Sequence, residues 1–277
     1  MARRVGSVTA PVECTGHETA ASVCQDRATP IDAVVFDLDG VITDTARTHA
    51  SAWKATFDVF LNSMSSFSTP QAEFDASADY VRYVDGKLRI EGIASFLRSR
   101  HIELPLGQPD DTALTSVYGI GNSKNRAFLA LLESEGVPVF ADAMECLRGL
   151  RRLGIRLGLA SSSKNCSFIR ERTGISEFFE VTVDGACLEA RGLKSKPSPD
   201  IFLETARQLE AEIKRVAIVE DAAAGVRAAR DSGAGLVVGL DRTGGGRRLR
   251  EHGADVVLLS LEGFEQILAR HGASRGR

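Results

Sequence analysis

Short runs of consecutive apolar residues recur along this chain, and helical patterns separate them. "AVVF" (33–36), "RLGLAS" (156–161), "RVAIVED" (215–221), "GLVVGL" (235–240) and "ADVVLL" (254–259) are too short for helices and apolar on both sides of an extended backbone. Such strands must be covered on both faces, which is the condition of a parallel sheet between helical layers. The pattern predicts a helix over 165–173 after the second run. It predicts another after the third, through "AAAGVRAARDSGA", where Gly233 supplies a C-terminal stop. The expected fold is α/β, with a Rossmann-like parallel-sheet core.

Residues 46–135 read differently. "THASAWKATFDVFLNSM", "GIASFLRSR" and "KNRAFLALLESEG" are helical, and no comparable buried strand interrupts them. Their place between the first and second strands implies an inserted helical cap domain over 46–135, with the core over 31–45 and 136–277. Residues 1–30 lack sustained periodicity, so a poorly ordered N-terminal extension is expected there.

Composition narrows the function classes. The chain has 277 residues, of which 43% are hydrophobic and 26% charged, ordinary for a soluble globular protein. A net charge of −3 offers no general attraction to nucleic acid or an anionic membrane, and neither partner is expected. An anionic ligand must then meet a local cluster of Lys, Arg and backbone N–H groups. No apolar run is long enough for a membrane span, and no apolar segment follows the basic "MARR" as a signal peptide would require. The five cysteines, Cys14, Cys24, Cys146, Cys166 and Cys187, form no C-x-x-C pair and are odd in number. They read as reduced thiols in a cytoplasmic protein, with Cys166 buried and inert. A monomer is expected.

Open parallel sheets bind ligands at the carboxyl ends of their strands. After the first strand come Asp37, Leu38, Asp39 and Gly40; after the second, "SSSKN" (161–165); before the third, "KSKPSPDIF" (194–202); after it, Glu220 and Asp221. Topology alone thus gathers carboxylates, hydroxyls and lysines at one edge. Crowded carboxylates resist joint ionisation unless a cation sits among them, and hard oxygen donors suit Mg²⁺. Ser161 and Lys196 would hold the remaining oxygens of a phosphoryl group. Asp37, fixed at the strand terminus, can serve as nucleophile through an aspartyl phosphate, and Asp39 as general acid and base.

"DLDGVITDT", "ASSSKN", "KPSPDIF" and "VEDAAAG" together resemble the haloacid dehalogenase superfamily, and within it the β-phosphoglucomutase-like family. "GVITDTARTHASAWK" is similar to that family's first motif and linker, including Thr45 and His49 four apart. The resemblance covers about residues 31–240 and is looser over the cap. It implies interconversion of β-D-glucose 1-phosphate and glucose 6-phosphate through β-glucose 1,6-bisphosphate, with Mg²⁺ as cofactor and a small sugar phosphate as the ligand. Carried over residue by residue, Asp37, the backbone carbonyl of Asp39 and Asp221 would ligate Mg²⁺, with Glu220 as a ligand or beside one. Ser163, Lys164 and Asn165 would contact the sugar phosphate. Thr45 and His49 would act at the hinge, coupling cap closure to the position of Asp39. Arg89, in "YVDGKLRIEGI", would grip a second phosphate from the cap; Asp85 falls where the family carries a lysine, and Lys87 is the substitute expected there.

A sugar-phosphate phosphatase of the same superfamily would share the whole core, and a non-catalytic sugar-phosphate-binding regulator is a third reading. "GIGNSKNRAF" (119–128) reads as a helix-start loop, with Asn122, Ser123 and Lys124 as minor candidates for substrate contact. "RTGGGRRLREHG" (242–253) reads as a loop and a surface helix, and Trp53 as cap packing.

Overall fold

The computed structural model describes residues 30–64, 71–242 and 246–273. The extension expected over 1–30 therefore lies almost wholly outside the described residues. Six strands form one parallel sheet: β1 (Ala33–Phe36), β2 (Arg156–Ala160), β3 (Val181–Val183), β4 (Val216–Glu220), β5 (Leu236–Leu240) and β6 (Val256–Leu258). Their order is β3-β2-β1-β4-β5-β6, so β1 lies between β2 and β4.

Side-chain alternation along the central strands builds two cores. Val34 and Phe36 of β1 pack with Leu157, Leu159, Ala217 and Val219 on one face. Ala33 and Val35 pack with Val216, Ile218 and Val237 on the other. All four β1 residues are fully buried, which is why the run carries no polar residue until the strand ends. A Phe36→Ala change would open a cavity costing about 3–5 kcal/mol. Gly158 in β2 lets α7 (Asp200–Gln208) lie close: a Cβ there would stand 2.8 Å from the Thr205 side chain.

β3 has no counterpart among the five predicted runs. It has only three residues, two of them half-buried at the sheet edge, so "VTV" carries no long apolar signal. The other core helices are α4 (Ala141–Arg152), α5 (Cys166–Thr173), α6 (Gly185–Arg191), α8 (Ala223–Asp231), α9 (Arg247–Glu251) and α10 (Phe264–Ala273). Gly174 and Gly192 end α5 and α6 in the left-handed conformation.

Residues 46–135 hold α1 (Ala46–Met64), a π-helical turn over Tyr80–Val84, α2 (Arg89–Ser99) and α3 (Val117–Glu135). Trp53, Phe57, Phe60, Phe74, Phe96 and Ile120 form a third apolar cluster there. Trp53 stacks on Phe57 at 5.1 Å, so the expected packing role is visible. The lower ends of α1 and α3 instead send Ala52, Phe128 and Leu132 into the core cluster of Val34 and Phe36. "GIGNSKNRAF" is not a loop: α3 begins at Val117, capped by Ser116, whose hydroxyl accepts from the Gly119 N–H. Glycines that read as loop residues are packing residues, since a Cβ on Gly119 would collide with the Ala113 carbonyl.

Candidate active site

The site begins where β1 stops. After Asp37 the chain turns back on itself: the Gly40 N–H donates to the Thr43 carbonyl at 2.7 Å, and the Thr43 N–H and hydroxyl both donate to the Leu38 carbonyl. Gly40 has φ +87°, and a Cβ there would collide with the Asp221 carboxylate. Glycine therefore allows the loop after β1 and the end of β4 to meet. Arg242, beyond β5, clamps this turn from behind. Its guanidinium donates to the carbonyls of Gly40 (3.3 Å) and Val41 (3.0 Å), pairs with Asp142 at 2.9 Å and lies 3.6 Å over the Phe140 ring. Arg242 was expected in a surface loop; one arginine in a Gly-rich stretch carries no sign of such a contact.

Lys196 is 1% exposed and lies between two carboxylates, 2.5 Å from Asp37 Oδ1 and 2.5 Å from Glu220 Oε1. Burial opposes its charge, but Asp37 and Glu220 outweigh burial and hold its pKa above the usual range. Asp37 is pushed up to about 8, chiefly by burial and then by the Glu220 and Asp39 charges, with Lys196 acting against them.

Asp39 behaves in the opposite way. Burial would raise its pKa, but His49, the Thr45 hydroxyl and Lys124 together hold it below the usual carboxylate value. Thr45 Oγ1 donates to Asp39 Oδ1 at 2.5 Å and is itself 2.7 Å from Thr43 Oγ1. His49 Nε2 stands 3.3 Å from the same oxygen, at ion-pair distance but out of hydrogen-bond alignment. On the other side of the ring, Lys124 Nζ is 2.6 Å from His49 Nδ1. His49 stacks on Phe128 at 3.9 Å, and the Lys124 ammonium lies over the Phe128 and Trp53 rings. Lys124, a minor candidate in the sequence, is therefore the partner of His49. Its 75-residue separation hid the pairing, and the helix-start reading concealed the face it shares with Phe128, one turn on.

The far wall comes from α2, α3 and the segment after β2. Arg89 Nη2 and Asn165 Nδ2 both donate to Asn125 Oδ1, at 2.7 and 2.8 Å. Ser161, fully buried, reaches Asp39 Oδ2 at 3.4 Å and accepts from the Ser163 N–H. Ser163, Lys164 and Asn165 line the pocket with Asp37, Asp39, Arg89 and Lys124. Lys164 pairs with Glu189 at 2.5 Å. Lys87 also lines the pocket, but its ammonium donates to the Tyr83 carbonyl and the Ser95 hydroxyl, turned back on its own segment. Asn122 ties the carbonyls of Pro109 and Asp111 instead of facing the pocket.

Among the described residues, no three His, Cys, Asp or Glu side chains form a ready metal cage. Glu220 has protein partners on both oxygens, Lys196 on one and the Ala222 N–H on the other. That leaves Asp37 and Asp221, with the main chain at Asp39, as the donors nearest to hand. Burial, then Glu220, Asp85 and Asp37, push the Asp221 pKa well above the carboxylate range. Crowded acids of this kind fit a divalent cation that draws its other ligands from water and phosphate, as Mg²⁺ does.

Two aspartates, a buried lysine and a buried serine gathered at the ends of parallel strands make up a site of the phosphoryl-transfer class, and comparison with known proteins agrees. A family model for haloacid dehalogenase-like hydrolases matches residues 31–233. A β-phosphoglucomutase of Mycobacterium bovis is 42% identical over 236 residues, spanning 83% of this chain and 90% of that protein. A phosphorylated carbohydrates phosphatase of Thermotoga maritima is 26% identical over 241 residues, spanning 86% of this chain and 98% of that one. The crystal structure of a β-phosphoglucomutase from Clostridium difficile superposes with a TM-score of 0.71 at 25% identity, over 89% of this chain and 100% of that one. The chain belongs to the haloacid dehalogenase-like hydrolases, and within them to the β-phosphoglucomutase-like family.

Proposed function

We propose that this enzyme interconverts β-D-glucose 1-phosphate and glucose 6-phosphate through β-glucose 1,6-bisphosphate. The observation that carries this reading is the chain Lys124–His49–Asp39–Thr45, which ties α3 and α1 to the acid–base carboxylate. A transfer to a sugar hydroxyl needs that carboxylate engaged only when substrate is enclosed; transfer to water needs no such link.

Phosphorylated Asp37 gives its phosphoryl group to the free hydroxyl of the sugar phosphate, and Asp39 takes the hydroxyl proton. The bisphosphate turns over in the site. Asp37 then attacks the other phosphorus, and Asp39 returns the proton to the departing oxygen. Lys196 and Ser161 hold the equatorial oxygens of the transferring group. Arg89, with Ser163, Lys164 and Asn165, holds the other phosphate. The donor set of Asp37, Asp221 and the Asp39 main chain would hold Mg²⁺, which when bound offsets charge on the transferring group and favours ionised Asp37.

The test supplies β-glucose 1-phosphate, Mg²⁺ and a trace of the 1,6-bisphosphate. The expected outcome is glucose 6-phosphate with little free phosphate. Free phosphate equal to the substrate lost would instead establish the phosphatase reading, which the Thermotoga maritima relative favours.

A further inference from the structure

Two residues of the pocket lining, Arg89 and Asn165, come from distant segments: Arg89 opens α2, and Asn165 stands just before α5. Both are held by Asn125 of α3, which is not itself part of the lining. Asn125 Oδ1 accepts from Arg89 Nη2 at 2.7 Å and from Asn165 Nδ2 at 2.8 Å.

One face of α3 is shaped to receive this arginine. Gly121 and Asn125 lie one turn apart and so share a face. A Cβ on Gly121 would stand 3.2 Å from Arg89 Cδ and 3.4 Å from Ile93 Cδ1. Glycine thus lets α2 lie close enough for the arginine stem to pass, and Asn125 takes its head.

The chemistry of the junction is directional. Arginine only donates, so the Asn125 atom that meets it is the carbonyl oxygen. Asn165 can meet the same oxygen only with its amide nitrogen. Asn125 therefore sets the side-chain flip of Asn165, and one Nδ2 hydrogen remains for a ligand. The Asn165 N–H donates to the Ser163 hydroxyl at 3.2 Å, which fixes the main chain beneath it. No carboxylate among the described residues forms an ion pair with Arg89; Glu189, which attracts it, is paired with Lys164 at 2.5 Å. A neutral acceptor orients the guanidinium without cancelling its charge. Two nitrogens that share one acceptor oxygen also stand close enough to share one phosphate.

We propose that Asn125 is a positioning residue for the phosphate grip: it aligns Arg89 with Asn165 on one phosphate and, being neutral, leaves the arginine charge to the ligand. The inference rests on the sugar-phosphate reading above.

The test is equilibrium binding to the full chain with Mg²⁺ present, with thermal unfolding followed on the same proteins without ligand. Glucose 6-phosphate is titrated by calorimetry into the wild type, Asn125→Asp, Asn125→Ala, Arg89→Ala and the Arg89→Ala/Asn125→Ala double variant. Asn125→Asp keeps the size and the accepting oxygen and adds a charge. It is expected to weaken binding about 100-fold while its Tm stays at or above that of the wild type. A residue that merely tied the segments together would show no such loss, because a carboxylate ties an arginine more firmly than an amide does. Asn125→Ala should cost about 10-fold in the wild type and no more than about 3-fold in the Arg89→Ala chain, since it acts through that arginine. Wild-type affinity in Asn125→Asp would overturn the proposal, and so would an Asn125→Ala cost undiminished by Arg89→Ala. If Arg89→Ala binds like the wild type, the phosphate grip itself is wrongly assigned and the role of Asn125 falls with it. Free phosphate in the turnover assay reports separately on the mutase reading and leaves the binding result standing.

Discussion

Lys124 and His49 face each other at 2.6 Å although α3 and α1 bring them from 75 residues apart. Burial and then the Arg89 charge push the Lys124 pKa well below its usual value; while Lys124 is protonated it can only donate, so His49 Nδ1 accepts and the ring proton rests on Nε2, toward Asp39. Burial and then the Lys124 charge hold the His49 pKa below its usual value, keeping the ring neutral. His49→Ala is expected to lower kcat for transfer to the sugar by about 10²- to 10⁴-fold, the range for a disturbed acid–base group. Lys124→Met should do nearly as much, and the double variant no more than the worse single one, because the two act as a unit. Steady-state kinetics on the four proteins decides it; additive losses would separate the two residues. In Lys124→Met the His49 imidazole should also titrate at higher pH by NMR.

Lys196 sits buried between Asp37 and Glu220. Removing the ammonium leaves two buried carboxylates facing each other without a cation. Lys196→Met is expected to lower stability by about 3–5 kcal/mol, as measured by urea unfolding in chelator at neutral pH. Pairing it with Glu220→Gln should recover part of that loss. A single variant as stable as the wild type would mean that the lysine contributes nothing beyond chemistry.

Much of this site is legible in the sequence because a parallel sheet places its strand ends together whatever the intervening distance. Asp37, Ser161, Lys196 and Asp221 follow or precede apolar runs, and the runs betray the edge. The missing parts lack such a marker. Lys124 lies mid-helix, where its direction depends on where α3 starts, and Gly119 and Gly121 disguised that start as a loop. Arg242 acts through main-chain carbonyls, which leave no trace in residue identity. Asp85 was visible as a departure from the family pattern, and the structure places it in the lining of the pocket with Tyr80.

Arg242 touches no reacting atom, yet it holds the two carbonyls that follow Asp39. Its expected role is to position the Asp39 carboxylate. Arg242→Ala should lower kcat by about 10- to 100-fold with a smaller change in KM, since misplacement of a reacting group costs rate before it costs binding. Arg242→Lys should recover little, because an ammonium cannot span two carbonyls and Asp142 as the planar fork does. Added guanidinium should restore part of the Arg242→Ala activity. A uniform loss of folded protein with unchanged kcat per folded molecule would reduce the residue to a structural tie.

Asp142 makes the same clamp sensitive to acid. Burial works against its charge, but the Arg242 hydrogen bond and the Leu261 N–H outweigh burial and hold its pKa below the ordinary 3.8. A group depressed in the folded state contributes stability that is present above its unfolded pKa and lost as pH falls through the folded one. Wild type and Asp142→Asn should therefore differ in Tm near neutral pH, and the difference should shrink as pH drops below about 4. Thermal unfolding followed over that range checks the sign. A gap that widens in acid would show that the Asp142 carboxyl is not held ionised by Arg242 and the Leu261 N–H in the folded chain.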